Sequence, residues 1–242
     1  MKSEKNICLG IILARSKSRR IKNKNFIKIN NKMMFQYSLD EAIKSNIFFK
    51  IYISTESKRK LSQIAKLKKK KFYRFRLDTS FARTKILSHD KTPMLQVIED
   101  IYKKFKINYP NIKYVCMIYA TACLLKKNDF KKAFYKFKKI CNQNKNKSLS
   151  MQTIVSYPAP VEWAMKIKGN NKISYMSKKY TKKTSDTFSK LYYDSGGFHF
   201  LNSNYFDTNK KTIYFGYKVP KNRSVDINDA EDLDLAKSLL KN

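Results

Sequence analysis

Apolar residues along this chain recur with two different periods. Ile7 to Leu13 (Ile-Cys-Leu-Gly-Ile-Ile-Leu) is a short continuous apolar run, the pattern of a central parallel strand buried on both faces. Phe35, Leu39, Ala42 and Ile43 then fall on one face at helical spacing. Ile51-Tyr52-Ile53 predicts a second strand ending at Ser54-Thr55-Glu56, and Leu61, Ile64, Ala65 and Leu67 predict another helix. Met94, Val97, Ile98, Ile101 and Phe105 mark a third helix, Tyr114 to Tyr119 a third strong strand, and 128–140 a further helix after Asn128-Asp129. This βαβα rhythm predicts an α/β fold: a mixed, mostly parallel, Rossmann-like sheet with helices on both faces.

After about residue 148 the rhythm breaks. Strand-like pieces lie near 149–156, 163–167, 172–176, 197–202 and 212–216, joined by loops with Pro158, Pro160 and Gly169. A last helix is predicted over about 229–240. Leu233, Ala236, Leu239 and Leu240 lie on one side, and Asp229, Glu231 and Asp232 sit at its start, where the helix dipole favours acids. No repeat is visible, and 1–242 is read as a single domain. The Lys66-to-Lys71 run is read as a solvated helix end. No apolar run approaches the roughly 20 residues that span a bilayer. Met1 to Gly10 leads into Arg15 without a small-residue cleavage site, so no signal peptide is expected and the expected compartment is the cytoplasm.

Composition changes this picture little. Hydrophobic residues at 42% suffice for a core. Cys8, Cys116, Cys123 and Cys141 form no Cys-x-x-Cys pair, and with only two histidines to help them no zinc site is expected. The net charge of +35 raises a nucleic-acid reading. However, Lys, Asn, Ile, Phe and Tyr are abundant together while Gly, Pro, Ala and Arg are scarce, as AT-rich codons would produce. The lysines are spread along the chain with no recognisable nucleic-acid module. We expect weak attraction to polyanions at low salt, and no specific nucleic acid.

The chemistry concentrates after the first strand. Ala14-Arg15-Ser16-Lys17-Ser18-Arg19-Arg20-Ile21-Lys22-Asn23-Lys24-Asn25 holds six cations, at the strand end where open α/β sheets bind ligands. Facing a polyanion, such as a triphosphate, would relieve their mutual repulsion. A solvated basic loop in a basic protein explains the composition equally well. The loop resembles the nucleotide-binding signature of the cytidylyltransferases that make CMP-sugars. Arg15, Ser18, Lys24 and Asn25 match it, and Arg19 stands at a Lys position. Ser16-Lys17 replaces a frequent Gly-Gly pair, and Lys22 replaces Pro, which loosens the loop.

Further blocks resemble that family in the same order. Ile53-Ser54-Thr55 resembles its second-strand end, with Glu56 in place of Asp. Arg83 to Pro93 resembles a block that begins Arg-Pro and ends Asp-x-Thr. Tyr114 to Leu125 resembles its strand and Pro-Thr-x-Pro turn, keeping Thr121 but with Ala120 and Cys123 for the prolines. Tyr119 and the Tyr192-to-Phe200 block are similar to the branch that acts on pseudaminic acid. Asp226-Ile227-Asn228 resembles an Asp-Ile-Asp motif. Together the blocks span about 7–238.

The resemblance implies a nucleotide-diphospho-sugar transferase type of fold. The activity would be transfer of CMP from CTP to the anomeric hydroxyl of a nonulosonic acid sugar, with release of pyrophosphate. It implies catalytic and CTP-binding roles for Arg15, Arg19 and Lys24, and CTP-binding roles for Ser18, Asn25, Arg83 and Thr121. The sugar would lie near Tyr119, Asp194, Phe198 and His199, and Mg²⁺ near Asp226 and Asn228. It also implies a homodimer joined through an arm at about 157–192. A basic nucleic-acid-binding protein and a member of the family that has lost activity are the competing readings. The substitutions at Lys22, Ala120, Cys123 and Asn228 motivate the second.

Overall fold

In a computed structural model of the chain, residues 7–18, 20–207 and 209–241 are described. The strands are β1 (Cys8–Leu13), β2 (Lys28–Ile29), β3 (Lys32–Met33), β4 (Lys50–Ser54), β5 (Leu77–Asp78), β6 (Tyr114–Tyr119), β7 (Ser148–Ser156), β8 (Met165–Ile167), β9 (Ile173–Tyr175), β10 (Tyr192–Asn202) and β11 (Thr212–Lys218). The α-helices are α1 (Met34–Ser45), α2 (Lys58–Ala65), α3 (Lys71–Arg74), α4 (Met94–Asn108), α5 (Lys127–Gln143) and α6 (Ala230–Leu239). Seven strands form one sheet in the order β11-β7-β10-β6-β1-β4-β5. β10 runs antiparallel to both its neighbours, and every other pairing in the sheet is parallel.

The apolar runs become central strands because strand alternation lets each serve two cores. In β1, Cys8 and Ile12 join a cluster with Phe35, Leu39 and Ala42 of α1, Ile64 of α2 and Phe130, Phe134 and Phe137 of α5. Leu9 and Ile11 point the other way, into a cluster with Val97, Ile98, Ile101 and Phe105 of α4. β6 divides likewise: Cys116 and Ile118 face α5, and Val115 and Met117 face α4. The helical stripes read from the sequence thus cover the two faces. All four cysteines are free and buried. Burial raises the Cys8 and Cys116 thiols well above their ordinary range, so both behave as small apolar residues.

Three local features depart from the periodic reading. Ile29 and Lys32 pair around Asn30 and Asn31, which both have positive φ (48° and 61°), as a two-residue hairpin turn requires. Strand β5 is a two-residue edge that hydrophobic period does not reveal. The Lys66-to-Lys71 run is a 3-10 turn, Lys66–Lys69, leading into α3. At the C-terminal helix the acids stand at the start as expected from the helix dipole, and two of them also cap it. Asp229 is the N-cap and accepts the Asp232 N–H at 3.0 Å, while the Asp232 carboxylate accepts the N–H groups of Asn228 and Asp229.

Between β7 and β10 the chain leaves the main sheet. β8 and β9 pair as a separate antiparallel hairpin, and Trp163, Tyr180 and Phe188 meet edge to face beside it. The hairpin exposes Met165, Ile167, Ile173, Tyr175 and Met176.

Candidate active site

Parallel strands β1, β4 and β6 end on the same edge of the sheet, and the loops after them enclose a cleft of about 610 Å³. Arg15, Ser18, Lys24, Asn25, Arg83, Tyr119, Thr121 and Asn228 all line it. Topology therefore gathers residues that are more than 200 positions apart in the sequence. Arg19 lies outside the described residues. Arg20, His89 and Asp90 also line the cleft. Sequence reasoning quoted the segments that hold them without giving them roles. Their signal was their place in the basic loop and in the Arg83-to-Pro93 block.

The basic loop is held by hydrogen bonds at nearly every turn. The buried Asn25 donates its side-chain N–H to the Arg15 carbonyl at 3.0 Å, tying the loop back on itself. Ser16 donates both its backbone N–H (3.0 Å) and its hydroxyl to Glu56 Oε1. Burial alone would raise the Glu56 carboxyl, but the Ser16 hydrogen bonds and the nearby Arg83 charge outweigh it and hold the group below its ordinary value. Arg83 donates to Ser54 Oγ at 2.9 Å and to the Ser54 carbonyl at 2.7 Å. Its guanidinium is thereby anchored to the end of β4. Burial pulls its pKa down, with Glu56 acting in the opposite sense.

Three cations of the loop reach outward to other segments. Arg15 pairs with Asp90. Arg20 donates to Asn228 Oδ1 at 2.8 Å, and the Lys24 ammonium donates to the Ile227 carbonyl. Burial lowers the Lys24 pKa, and Asp226 partly offsets that while Arg20 and Arg15 reinforce it. The Arg15–Asp90 pair is about a third exposed on both sides, so it is solvent-screened and cheap to break. An incoming polyanion can take its place on the guanidinium.

Asp194, His199 and Asp226 adjoin the cleft without lining it. Asp194 bridges His199 Nε2 (2.9 Å) and the Gly196 N–H (2.9 Å). Burial would raise the Asp194 carboxyl, but these contacts together hold it below the usual range. The His199 ring lies 5.9 Å from that of Tyr119, which does line the cleft. Gly196 has φ +64°, and a side chain there would meet the Asp226 carboxylate at 3.1 Å. Glycine suits this close approach, since any side chain would strain the backbone and push against Asp226, which lies beside the irregular stretch of β10.

Phe198 requires correction as a sugar contact. Its side chain is fully buried, 5.0 Å from Phe130 and 5.1 Å from Phe200 by ring centroids. Successive residues of a strand face opposite sides, so the core claims Phe198 while His199 faces Tyr119. Residues 226–228 also form no strand. Asn228 does not cap α6, since Asp229 does. Its amide instead bridges Arg20 and Asp226: Nδ2 donates to Asp226 Oδ2 at 2.9 Å.

Among the described residues no group of three or more His, Cys, Asp or Glu gathers to hold a metal. Asp226 offers one carboxylate, and the Asn228 oxygen is turned to Arg20. That donor set fits a hard cation held chiefly by substrate phosphates and water, as Mg²⁺ commonly is, rather than an all-protein cage.

A cleft at the carboxyl ends of parallel strands, walled by anchored guanidiniums and an ammonium, defines the class: an α/β nucleotide-binding protein. The cytidylyltransferase family model matches residues 9–241, and the chain belongs to that family. It is 32% identical over 240 residues to a pseudaminic acid cytidylyltransferase of Campylobacter jejuni subsp. jejuni serotype O:23/36 (strain 81-176), covering 98% of this chain and 97% of that one. Over 92 residues it is 37% identical to the CMP-N,N'-diacetyllegionaminic acid synthase of C. jejuni subsp. jejuni serotype O:2 (strain ATCC 700819 / NCTC 11168), 38% of this chain and 36% of that one. Among solved structures, CMP:2-keto-3-deoxy-manno-octonic acid synthetase complexed with CTP superposes with a TM-score of 0.65 at 9% identity, covering 98% of this chain and 99% of that one. The 4-diphosphocytidyl-2C-methyl-D-erythritol synthase of Anaerococcus prevotii DSM 20548 gives 0.60 at 13% identity, covering 98% and 99%. These two share the fold.

Replacing Arg15 by Ala should leave the fold intact, because its side chain contributes one exposed ion pair and no core packing. Turnover should fall about 100–1,000-fold, the usual loss when a charge-assisted donor to developing charge is removed. Circular dichroism with steady-state kinetics checks both halves. Wild-type kinetics would show the loop to be a solvated face.

Proposed function

We propose that this protein transfers CMP from CTP to the anomeric hydroxyl of a nine-carbon 2-keto sugar acid, pseudaminic acid or a close relative, and releases pyrophosphate. One observation carries the reading: near-full-length similarity to pseudaminic acid cytidylyltransferases coincides with a cleft that gathers the cations of the first loop. Arg15, Lys24 and Arg83 hold phosphate oxygens, and Arg19 belongs to the same loop. Ser18, Asn25 and Thr121 border the nucleotide. Tyr119, Asp194 and His199 orient the sugar beside it. The sugar hydroxyl attacks the α-phosphorus and gives up its proton to water; the new O–P bond forms, and the bond from the α-phosphorus to the bridging oxygen breaks, so that pyrophosphate leaves with that oxygen and the bonding pair. Such chemistry depends on positioning and on balancing charge that spreads over phosphate oxygens. Arg83, fixed to the end of β4, provides that balance without reorganising.

Asp226 would hold Mg²⁺ beside the triphosphate, with Asn228 adjoining; the ion would neutralise phosphate charge there. The Asn228 side-chain amide contacts the Asp226 carboxylate at 2.9 Å. We place the reaction in the cytoplasm, where CTP is available. No helix among the described residues is long and apolar enough to cross a membrane.

The direct test is pyrophosphate release from CTP with pseudaminic, legionaminic and sialic acids, alongside calorimetry with all four nucleoside triphosphates. We expect CTP to bind in preference to ATP and GTP, and pseudaminic acid to be the best acceptor. Equal affinity for every nucleotide would sink the cytidylyltransferase reading. CTP binding without turnover on any acceptor would identify a family member that has lost activity.

Asn228→Asp places a second carboxylate beside Asp226 and an ion-pair partner opposite Arg20. A hard cation gains from added negative charge, so the Mg²⁺ concentration giving half-maximal activity should fall. An unchanged titration would remove position 228 from the metal site.

We further propose a homodimer joined through the 157–192 segment. The apolar residues that its β8–β9 hairpin exposes would be covered by a second copy. Light scattering should give twice the mass of one chain, and Ile167→Lys, at a residue 79% exposed, should shift it to one. A monomeric wild type would overturn the proposal.

A further inference from the structure

An ion pair with one buried partner lies outside the lining of the cleft. Asp129, in the first turn of α5, is only 4% exposed. Its carboxylate accepts three hydrogen bonds: the Lys126 N–H at 2.9 Å, Arg223 Nε at 3.0 Å and Arg223 Nη2 at 2.8 Å. The guanidinium thus grips the carboxylate with two nitrogens, a geometry that fixes direction as well as distance. Arg223 comes from a 3-10 turn, Lys221–Arg223, 94 positions further along the chain. Removing Arg223 would strand the Asp129 carboxylate in a buried place.

The segment that the pair holds is the one that presents Asp226. It begins at buried Val219, whose N–H donates to the Ile154 carbonyl at 3.0 Å. It turns at Pro220 to Ser224 through two backbone hydrogen bonds. It re-enters the core at Ile227, which is fully buried against Met34, Cys123, Leu124, Leu233 and Ala236. Between Arg223 and Ile227, residues 224–226 have no regular structure. Asp226 is therefore suspended between two anchors. On the cleft side, Lys24 and Arg20 hold the same segment through the Ile227 carbonyl, the Asn228 amide and the attraction between Lys24 and Asp226. Both are cations that a polyphosphate would recruit, so these ties weaken when the cleft fills. Neither Asp129 nor Arg223 lines the cleft, so a ligand entering it does not compete for either partner of the pair.

We propose that Arg223, through Asp129, is a positioning residue for the reaction: the pair fixes the 219–228 segment to the start of α5 and so holds the Asp226 carboxylate in its place when nucleotide draws Arg20 and Lys24 away. This rests on the reading of Asp226 as the carboxylate that meets the cation–nucleotide complex.

The test uses the full chain with Arg223→Lys, which keeps the charge and loses the two-pronged grip, and Asp129→Asn as the variant from the other side. Mg²⁺ is titrated calorimetrically into protein saturated with CTP, with no sugar present, and amide hydrogen exchange is followed in parallel. For Arg223→Lys we expect the half-saturating Mg²⁺ concentration to rise about tenfold, as loss of an outer orienting partner typically causes. CTP binding without Mg²⁺ should be unchanged, and exchange should accelerate in 219–229 while α5 beyond its first turn keeps its protection. Asp129→Asn should act in the same direction. If instead exchange accelerates across the whole molecule and the Mg²⁺ titration stays put, the pair merely stabilises α5 and the proposal is overturned. If the wild type binds no CTP, the functional reading fails separately. The exchange data then decide the clamp alone: acceleration confined to 219–229 supports it, and uniform or absent acceleration overturns it.

Discussion

Like charges crowded at the end of one strand are the constraint around which this molecule is arranged. Between Arg15 and Lys24 the loop after β1 carries six cations. At a separation of 4 Å, two unit charges repel by about 4 kcal/mol at the effective dielectric typical near a protein surface. The fold answers by importing polar partners from elsewhere in the chain: Asp90 to Arg15, Asn228 to Arg20 and the Ile227 carbonyl to Lys24. The loops after β1, β4 and β6 and the segment before α6 are thereby drawn to one place. The cleft is the space they leave.

The anchoring is graded. Arg83 is tied to the Ser54 hydroxyl and carbonyl, both part of the sheet. Asn25 and Glu56 fix the loop backbone. Arg15, by contrast, is paired at a site about a third exposed on both sides, where an ion pair contributes little to stability. Rigid donors beside easily released ones suit a site that must admit a highly charged ligand and still meet it with preset geometry. The glycine at position 196 belongs to the same design. Its positive φ and missing side chain let the Asp226 carboxylate approach β10, joining the first loop's counter-charges to the Asp194–His199 pair.

Much of this was legible in the chain. The apolar runs at 8–13 and 114–119, and the stripes of α1, α4 and α5, follow from burial on two faces and from helical period. The acids at the start of α6 were readable as partners of the helix dipole, though not as its caps. The Asn30-Asn31 turn went unread, because hydrophobic period passes over a two-residue turn made by residues that tolerate positive φ. The two-residue strand β5 left no trace, because it pairs only at Ile51 and Tyr52 and so is made by its neighbour.

At the site, the sequence by itself determined which residue types were available and which strand end would hold them: a cationic loop after a central strand, and acids far downstream. Only the tertiary structure decided their partners. Phe198 and His199 are adjacent in sequence, yet strand alternation sends one into the core and the other toward Tyr119. Asn228, expected beside the metal, is a bridge between Arg20 and Asp226, while Asp229 caps the helix that follows. Nothing near Asp129 in the chain foretells Arg223, 94 residues away. Periodicity records the burial of each segment, which is a local property. Hydrogen bonds and ion pairs form between segments, and their geometry exists only once the sheet has set the distances.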